Sequence, residues 1–417
     1  MKIITRFIFV FIIFFYVRDL QAIEDFDSLD MTTSSDFKVV VKNVGQGSCT
    51  IIHNEENNNF IIIDAGSSAS KSENLEDSIA SDLGQSHSFL DVPQIVPNMM
   101  VFISHTDSDH INLIQKVFTR NGQLSSQIKK VILGDNFKNF YKSAEAKNFL
   151  KSFVGFVSDF QDKTSILSHD ISLTSDLLTH EPVWSDLVKR EYIVDTLLED
   201  TEFFTHAQST TSKLSIFSAN AGIGGTDQEE EDSNLNSAVF SLMISGKRML
   251  MMVDATGGVT RKIIDVVDPA KLQLELLVMS HHGADTEYTN NIIWAAATKP
   301  ARVAISAGYH GGFKHPSILS LANFSVIGTL KVTKCDIPEL LSDVHNIVFS
   351  DDHGRRASEF SGLGVVKDTK KIINKKGSEF FWYISETQKS IYTTNASGDL
   401  TYIYDIEGNL VYFKREQ

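Results

Sequence analysis

The chain reads as an α/β protein, a four-layer αβ/βα sandwich formed by two similar halves. Three observations predict it. Apolar strand patterns alternate with helical ones in both halves, as in a sheet that helices cover. Four apolar runs end in Asp or His, and open α/β sheets place their sites at such carboxyl edges. Hydrophobic residues make up 42% of 417 and charged ones 22%, which suits a globular chain with a sizeable core.

The elements follow in order. Residues 1–22 have signal-peptide anatomy: Lys2 and Arg6, the apolar run Phe7–Val17, then Leu20-Gln21-Ala22 with a small residue at the cleavage position. That run is well short of the roughly 20 residues that span a bilayer, and no other segment reads as membrane-spanning. Export to the periplasm or exterior is therefore expected, with no membrane channel attached. Residues 25–36 are a polar, acidic lead-in. Strands follow at Lys38–Val41, Cys49–His53 and Phe60–Ile63, with an Asn-rich loop between the last two. The Ser-rich stretch 67–88 is a solvated loop with a helix around Leu75–Leu83. Met99–Ile103 is an apolar strand, and Ile111, Leu113, Ile114, Val117 and Phe118 mark one amphipathic helix after it.

Lys130–Leu133 is a strand, with helical stretches between Phe137 and Phe153. Residues 155–210 hold scattered apolar positions without a period and read as an insertion of mixed helix and loop near the pocket. Strands recur at Leu214–Ser218, Ala238–Ile244, Met249–Val253, Leu274–Met279 and Arg302–Ser306. Helices fall at Val259–Val267, Asn290–Ala297 and Pro316–Ala322. The main domain is 23–350. Residues 351–417 read as a small C-terminal β extension, a meander over Phe380–Tyr383, Ser390–Thr394, Leu400–Tyr404 and Leu410–Phe413.

The chemistry concentrates in His105-Thr106-Asp107-Ser108-Asp109-His110, where four metal-ligand types crowd a strand-to-helix turn. A surface turn in which Asp109 only caps the helix is the bland alternative. Other strand ends carry Asp64-Ala65-Gly66, Asp254 and Ser280-His281-His282-Gly283, and Val44-Gly45-Gln46-Gly47-Ser48 precedes a strand. In order and type these elements resemble the metallo-β-lactamase superfamily. More narrowly, they resemble the C-terminal hydrolase domain of ComEC-type DNA-internalisation competence proteins. Asn234-Leu235-Asn236-Ser237 stands for that branch's N-x-S element; Ser306-Ala307-Gly308 and His315-Pro316 stand for its closing elements. The resemblance covers about residues 38–320.

The resemblance implies one or two divalent ions, zinc first and manganese as the alternative. His105 and Asp107 would bind the first, Asp109 and His110 the second, with Asp254 bridging and His281 completing the second. Asp109 and His282 are the catalytic candidates. His282 is left to contact substrate or donate a proton, because adjacent strand-end residues usually point apart. Asp64 either orients ligand histidines or satisfies local backbone donors. Asn236, Ser237 and His315 are assigned to ligand support or substrate contact, and His310 and Lys314 are loop residues that can also reach substrate. Three departures stand out. Asp107 replaces the superfamily's usual His, Asn112-Leu113 replaces its Gly-Gly, and the first metal's third histidine is missing where Asn220 and Gly222 stand, with His206 poorly placed.

The implied activity is an exported metal-dependent hydrolase, first a phosphodiesterase or nuclease using metal-bound hydroxide. The same ligands serve cleavage of a lactone, amide or thioester, and a first site short of a ligand also fits a non-catalytic scaffold. A net charge of −15 argues against broad electrostatic capture of nucleic acid, although bound divalent ions invert the local field. Cys49 and Cys335 are too few for a disulfide framework, and Cys49 reads as a small buried residue. The acidic run 225–232 lacks the spacing of a calcium loop and reads as a solvated turn.

Overall fold

The computed structural model describes residues 37–54, 59–68, 75–84, 98–120, 128–134, 165–168, 171–173, 192–193, 213–219, 232–286, 289–310, 312–327, 344–350, 365–373 and 376–415. The signal-peptide segment, the helical stretches after Phe137, most of the insertion, Asn220, Gly222, His206, most of the acidic run and Cys335 lie outside them.

The first sheet is built from β1 (Phe37–Val41), β2 (Thr50–Asn54), β3 (Asn59–Ile63), β4 (Asn98–Ile103), β5 (Ile128–Leu133), β6 (Ser165–Ser168) and β7 (Ile171–Leu173). The second holds β8 (Tyr192–Ile193), β9 (Lys213–Ala219), β10 (Val239–Ile244), β11 (Lys247–Met251), β12 (Leu274–Val278) and β13 (Arg302–Ile305). Each half begins antiparallel and turns parallel: β3, β4, β5 and β6 run parallel in the first, and β11, β12 and β13 in the second. Parallel strands need crossovers, and these are the helices α1 (Leu75–Gly84), α2 (Ser108–Ile111), α3 (Ile114–Arg120), α5 (Gly257–Val266) and α6 (Ile292–Thr298); α4 (Ser233–Asn236) is one short turn before β10.

Alternation along the strands sorts the core into layers. Val39, Ile61, Ile63, Met100 and Phe102 of the first sheet face Phe240, Leu242, Met249, Met251 and Leu276 of the second. Phe102 and Phe240 meet edge to face across the gap at 4.7 Å. The second sheet's other face presents Val239, Leu250, Leu277 and Val303 to Val259 and Ile263 of α5, Trp294 of α6 and Leu321 of α7 (Ile318–Ser325). On the first sheet Val40, Ile51, Phe60, Ile62 and Val101 are buried as well, and the crossover helices α1 and α3 bury Ile79, Leu83, Val117 and Phe118. The result is the αβ/βα sandwich expected from the sequence. Among the described residues no helix is long and apolar enough to cross a membrane.

Three sequence expectations change. The C-terminal strands do not form a separate meander. β14 (His345–Ser350), β15 (Val365–Ile373) and β16 (Glu379–Thr387) make a small antiparallel sheet, whereas β17 (Ile391–Thr393) adds parallel to β13. After the turn α8 (Thr394–Ser397), β18 (Leu400–Tyr404) pairs with β1 and β19 (Leu410–Arg415) with β18. Edge strands need partners for their backbone groups, and local sequence does not say which edge they will find. Within 155–210 the described residues are strands at the sheet edges, too short to show a period. Finally, the single helix after the metal loop is two. Leu113 N donates to Ala65 O, and the Asn112 amide clasps the Ser67 backbone on both sides, which breaks the helical run.

Candidate metal centre

Five chain segments converge on one site, all just beyond the carboxyl ends of parallel strands: Asp64 after β3, His105 to His110 after β4, Asp254 after β11, His281 and His282 after β12, and Ser306, through its carbonyl on His282, after β13. The Gly45–Ser48 turn ties them together. Ser48 N donates to Asp109 O, Gly66 N to Ser48 O, and Ser306 Oγ to Gly47 O. Gly66 allows the closest approach, since a Cβ there would lie 2.2 Å from the Asp109 carbonyl carbon.

Asp254 sits at the middle. Its Oδ1 is 3.2 Å from His110 Nε2 and 3.5 Å from His282 Nε2, and Asp109 Oδ2 is also 3.5 Å from His282 Nε2. Its Oδ2 is 3.8 Å from His281 Nε2 and 4.0 Å from His105 Nε2, which in turn lies 3.7 Å from Asp107 Oδ2. Asp109, His110 and His282 therefore group on one side of Asp254, with His105, Asp107 and His281 on the other. This arrangement differs from the sequence expectation, which put His281 with Asp109 and His110 and turned His282 away. The reason is the backbone: both histidines have positive φ, 48° and 53°, so neither follows strand alternation.

The far sides of three rings are wired. His282 Nδ1 is 2.9 Å from Ser306 O, which can only accept, so the ring donates there. His110 Nδ1 donates to Asp64 Oδ2 at 2.7 Å. Ser104 Oγ donates to Asp64 Oδ2 at 2.6 Å and so receives the His105 Nδ1 proton at 2.9 Å. Each ring thus turns the lone pair of Nε2 to the centre, the tautomer that binds metal. Asp64 also accepts from Ser104 N at 2.7 Å, so it both orients His110 and satisfies a backbone donor. Asp64, His105 and His110 could also be counted as a ligand group, but their atoms on that side are already joined by these hydrogen bonds.

The inward atoms test the fit of a cation. His105 Nε2, His110 Nε2, His282 Nε2 and Asp254 Oδ1 are buried without a hydrogen-bond partner. Buried polar atoms are rarely left so, and a divalent ion between them would satisfy several at once. Tetrahedral zinc with bonds of about 2.0–2.2 Å sets its ligands roughly 3.4 Å apart, close to the spacings around Asp254 Oδ1. The Asp, His donor set suits zinc or manganese.

The charges are strongly coupled. Burial works against ionisation of Asp254, but His110, His282 and His281 hold it well below the carboxylate range. Burial likewise opposes protonation of His110, which Asp254 and Asp64 nonetheless raise well above the imidazole range. His282 is raised by Asp254 and Asp109 against the same burial cost. His281 is pushed down by burial, as is His315, to about 3, with His281 and His282 adding to the effect.

The other expected residues lie nearby. The His315 ring is 5.4 Å from that of His281. Asn236 and Ser237 are buried in the turn before β10, which bonds to the metal loop through Ala238 N to Ser104 O. His310 Nδ1 accepts from Gly312 N and Phe313 N, so one ring nitrogen serves its own loop. Two contributors carried no sequence signal, the Ser104 hydroxyl relay and Ser233 Oγ on Asp107 Oδ1 at 2.9 Å, and Asn112, visible in the sequence only as a departure from Gly-Gly, proves to be a clasp. Each acts on a partner chosen by the fold.

Comparison with protein-family models gave no match, and comparison with curated proteins gave none. Among solved structures the chain is similar to a long form RNase Z from yeast, at 9% identity and a TM-score of 0.35, over 68% of this chain and 38% of that one. It is also similar to a protein of unknown function from Enterococcus faecalis V583, at 10% identity and a TM-score of 0.28, over 58% of this chain and 49% of that one. The chain thus spans less than half the length of either, and the chemistry of its centre rests on its own side chains.

Proposed function

We propose that the protein is a metal-dependent hydrolase whose first substrate class is a phosphodiester. The observation that carries the reading is the convergence of buried imidazole Nε2 atoms, without hydrogen-bond partners, on the two oxygens of Asp254. His110, His282 and Asp109 would hold one ion, and His105 and Asp107 the other, with Asp254 between them. Bound divalent ions supply a nucleophile at neutral pH and neutralise charge that develops on the attacked group. The chain's own residues do the rest. Ser104, Asp64 and Ser306 hold the rings in register, and Asp109, partly exposed, turns Oδ2 to the position it shares with His282, its carboxyl, against the cost of burial, held well below the usual range by His282 and His110. Preference for a phosphodiester comes from the competence-type sequence elements, and the acidity of the whole chain argues against broad electrostatic capture of long nucleic acid. The same reading has the chain exported and beginning near Ile23, which amino-terminal sequencing from the native host would check.

Hydrolysis of bis-p-nitrophenyl phosphate, DNA and RNA, measured with added zinc or manganese, tests the function. Asp109→Asn should lower turnover by several orders of magnitude without changing the fold. Cleavage of a lactone or thioester with none of any phosphodiester would replace the substrate class; no cleavage and no metal uptake would end the hydrolase reading.

A further inference from the structure

We infer that His281 is the third protein ligand of the first metal position, so that one turn feeds both positions from consecutive residues. The inference rests on the metal-centre reading and adds to it a third ligand from the described residues. Between His110 and Asp254 the described residues contain no histidine. In extended backbone two adjacent side chains point to opposite sides. Here both imidazoles turn to Asp254, His281 Nε2 to Oδ2 at 3.8 Å and His282 Nε2 to Oδ1 at 3.5 Å.

The turn is shaped for this. His281 (φ 48°, ψ 48°) and His282 (φ 53°, ψ 24°) are successive non-glycine residues in the left-handed region, a sparsely populated conformation that persists where its surroundings over-determine it. The surroundings do so. His281 N donates to Val253 O at 2.6 Å, and Asn290 Nδ2 bridges Ser280 O at 2.9 Å and Ala284 O at 2.7 Å. His105 Nε2 and His281 Nε2 then lie 4.0 and 3.8 Å from Asp254 Oδ2, and Asp107 Oδ2 lies 3.7 Å from His105 Nε2. Those spacings are slightly wider than a tetrahedral ion sets, so the set closes by small side-chain movement.

The two positions are unequal. His282 and His110 each donate Nδ1–H to a fixed acceptor, whereas His281 Nδ1 is buried without a hydrogen-bond partner. The His281 side chain is 21% exposed and that of Asp107 44%, so the first position is the more open. It fills second, and more weakly.

The test is metal stoichiometry of the full chain, stripped with chelator and titrated with manganese or zinc, with cobalt absorption as a second readout. Wild type should take two equivalents, one tight and one weak. His281→Asn tolerates the left-handed backbone but is too short to reach the ion. It should keep the tight step and weaken the other by roughly 100-fold or more, since losing even outer partners of a ligand costs about 10–100-fold. His282→Ala should remove the tight step and leave the weak one. Circular dichroism without metal confirms that each variant is folded. Two unchanged equivalents in His281→Asn would overturn the inference alone; no metal in wild type would overturn the function on which it rests.

Discussion

Asp64→Asn probes the relay behind the metal ligands. The Asp64 side chain is fully buried, and its two oxygens accept from Ser104 N at 2.7 Å, Ser104 Oγ at 2.6 Å and His110 Nδ1 at 2.7 Å. Asparagine has the same shape and tolerates the φ of 57° at this position, so the backbone need not move. The amide cannot accept on both sides. Turned one way its NH2 meets Ser104 N–H; turned the other it meets the Ser104 hydroxyl and the His110 ring. At least one buried donor is left unsatisfied, at about 1–3 kcal/mol, and bonds to the remaining oxygen weaken without the charge. That is a substantial part of the about 5–15 kcal/mol that holds a domain folded. His110 also loses the carboxylate that fixes its tautomer, so metal affinity should fall about 10–100-fold. Thermal melting in chelator reads the first effect, and competition with a chromogenic chelator reads the second. A variant with wild-type melting and wild-type metal affinity would refute the relay.

Three further outcomes follow from the same geometry. Gly66→Ala would set a Cβ 2.4 Å from Asp109 O, where only backbone can yield, so the metal loop should shift, with a loss of at least about 1–3 kcal/mol and of metal affinity, read by melting with and without zinc. Phe240→Ala removes a fully buried ring from between the sheets and should cost about 3–5 kcal/mol in denaturant unfolding, with metal stoichiometry unchanged in the folded fraction. Metal affinity should rise with pH. His110 and His282 have raised pKa values without metal, so protons compete for Nε2 at low pH and are released on binding. Their pairing with Asp254 stabilises the metal-free protein below the ordinary imidazole pKa of about 6.5, and that contribution is lost as pH rises through the raised values. Calorimetry in buffers of different ionisation enthalpy would detect the released protons; binding with no proton release at pH 7 would contradict the assignment.

The sequence by itself determined the layers and the location of the chemistry. Ile61 to Ile63 and Met99 to Ile103 read as strands because buried parallel strands need apolar residues on both faces. The site was legible because its ligands lie at strand ends, four of them within six residues. Tertiary structure decided the rest. Which oxygen of Asp254 each of His281 and His282 faces depends on two positive φ values that the letters His-His-Gly do not encode. The role of Asp64 depends on meeting Ser104 and His110, forty or more residues away. β18 reads locally as part of a tail, yet it pairs Tyr404 with Phe37 because the first sheet's open edge needs hydrogen bonds. Periodicity reports the faces of an element, which are local; partners and backbone sign are set by packing between distant segments.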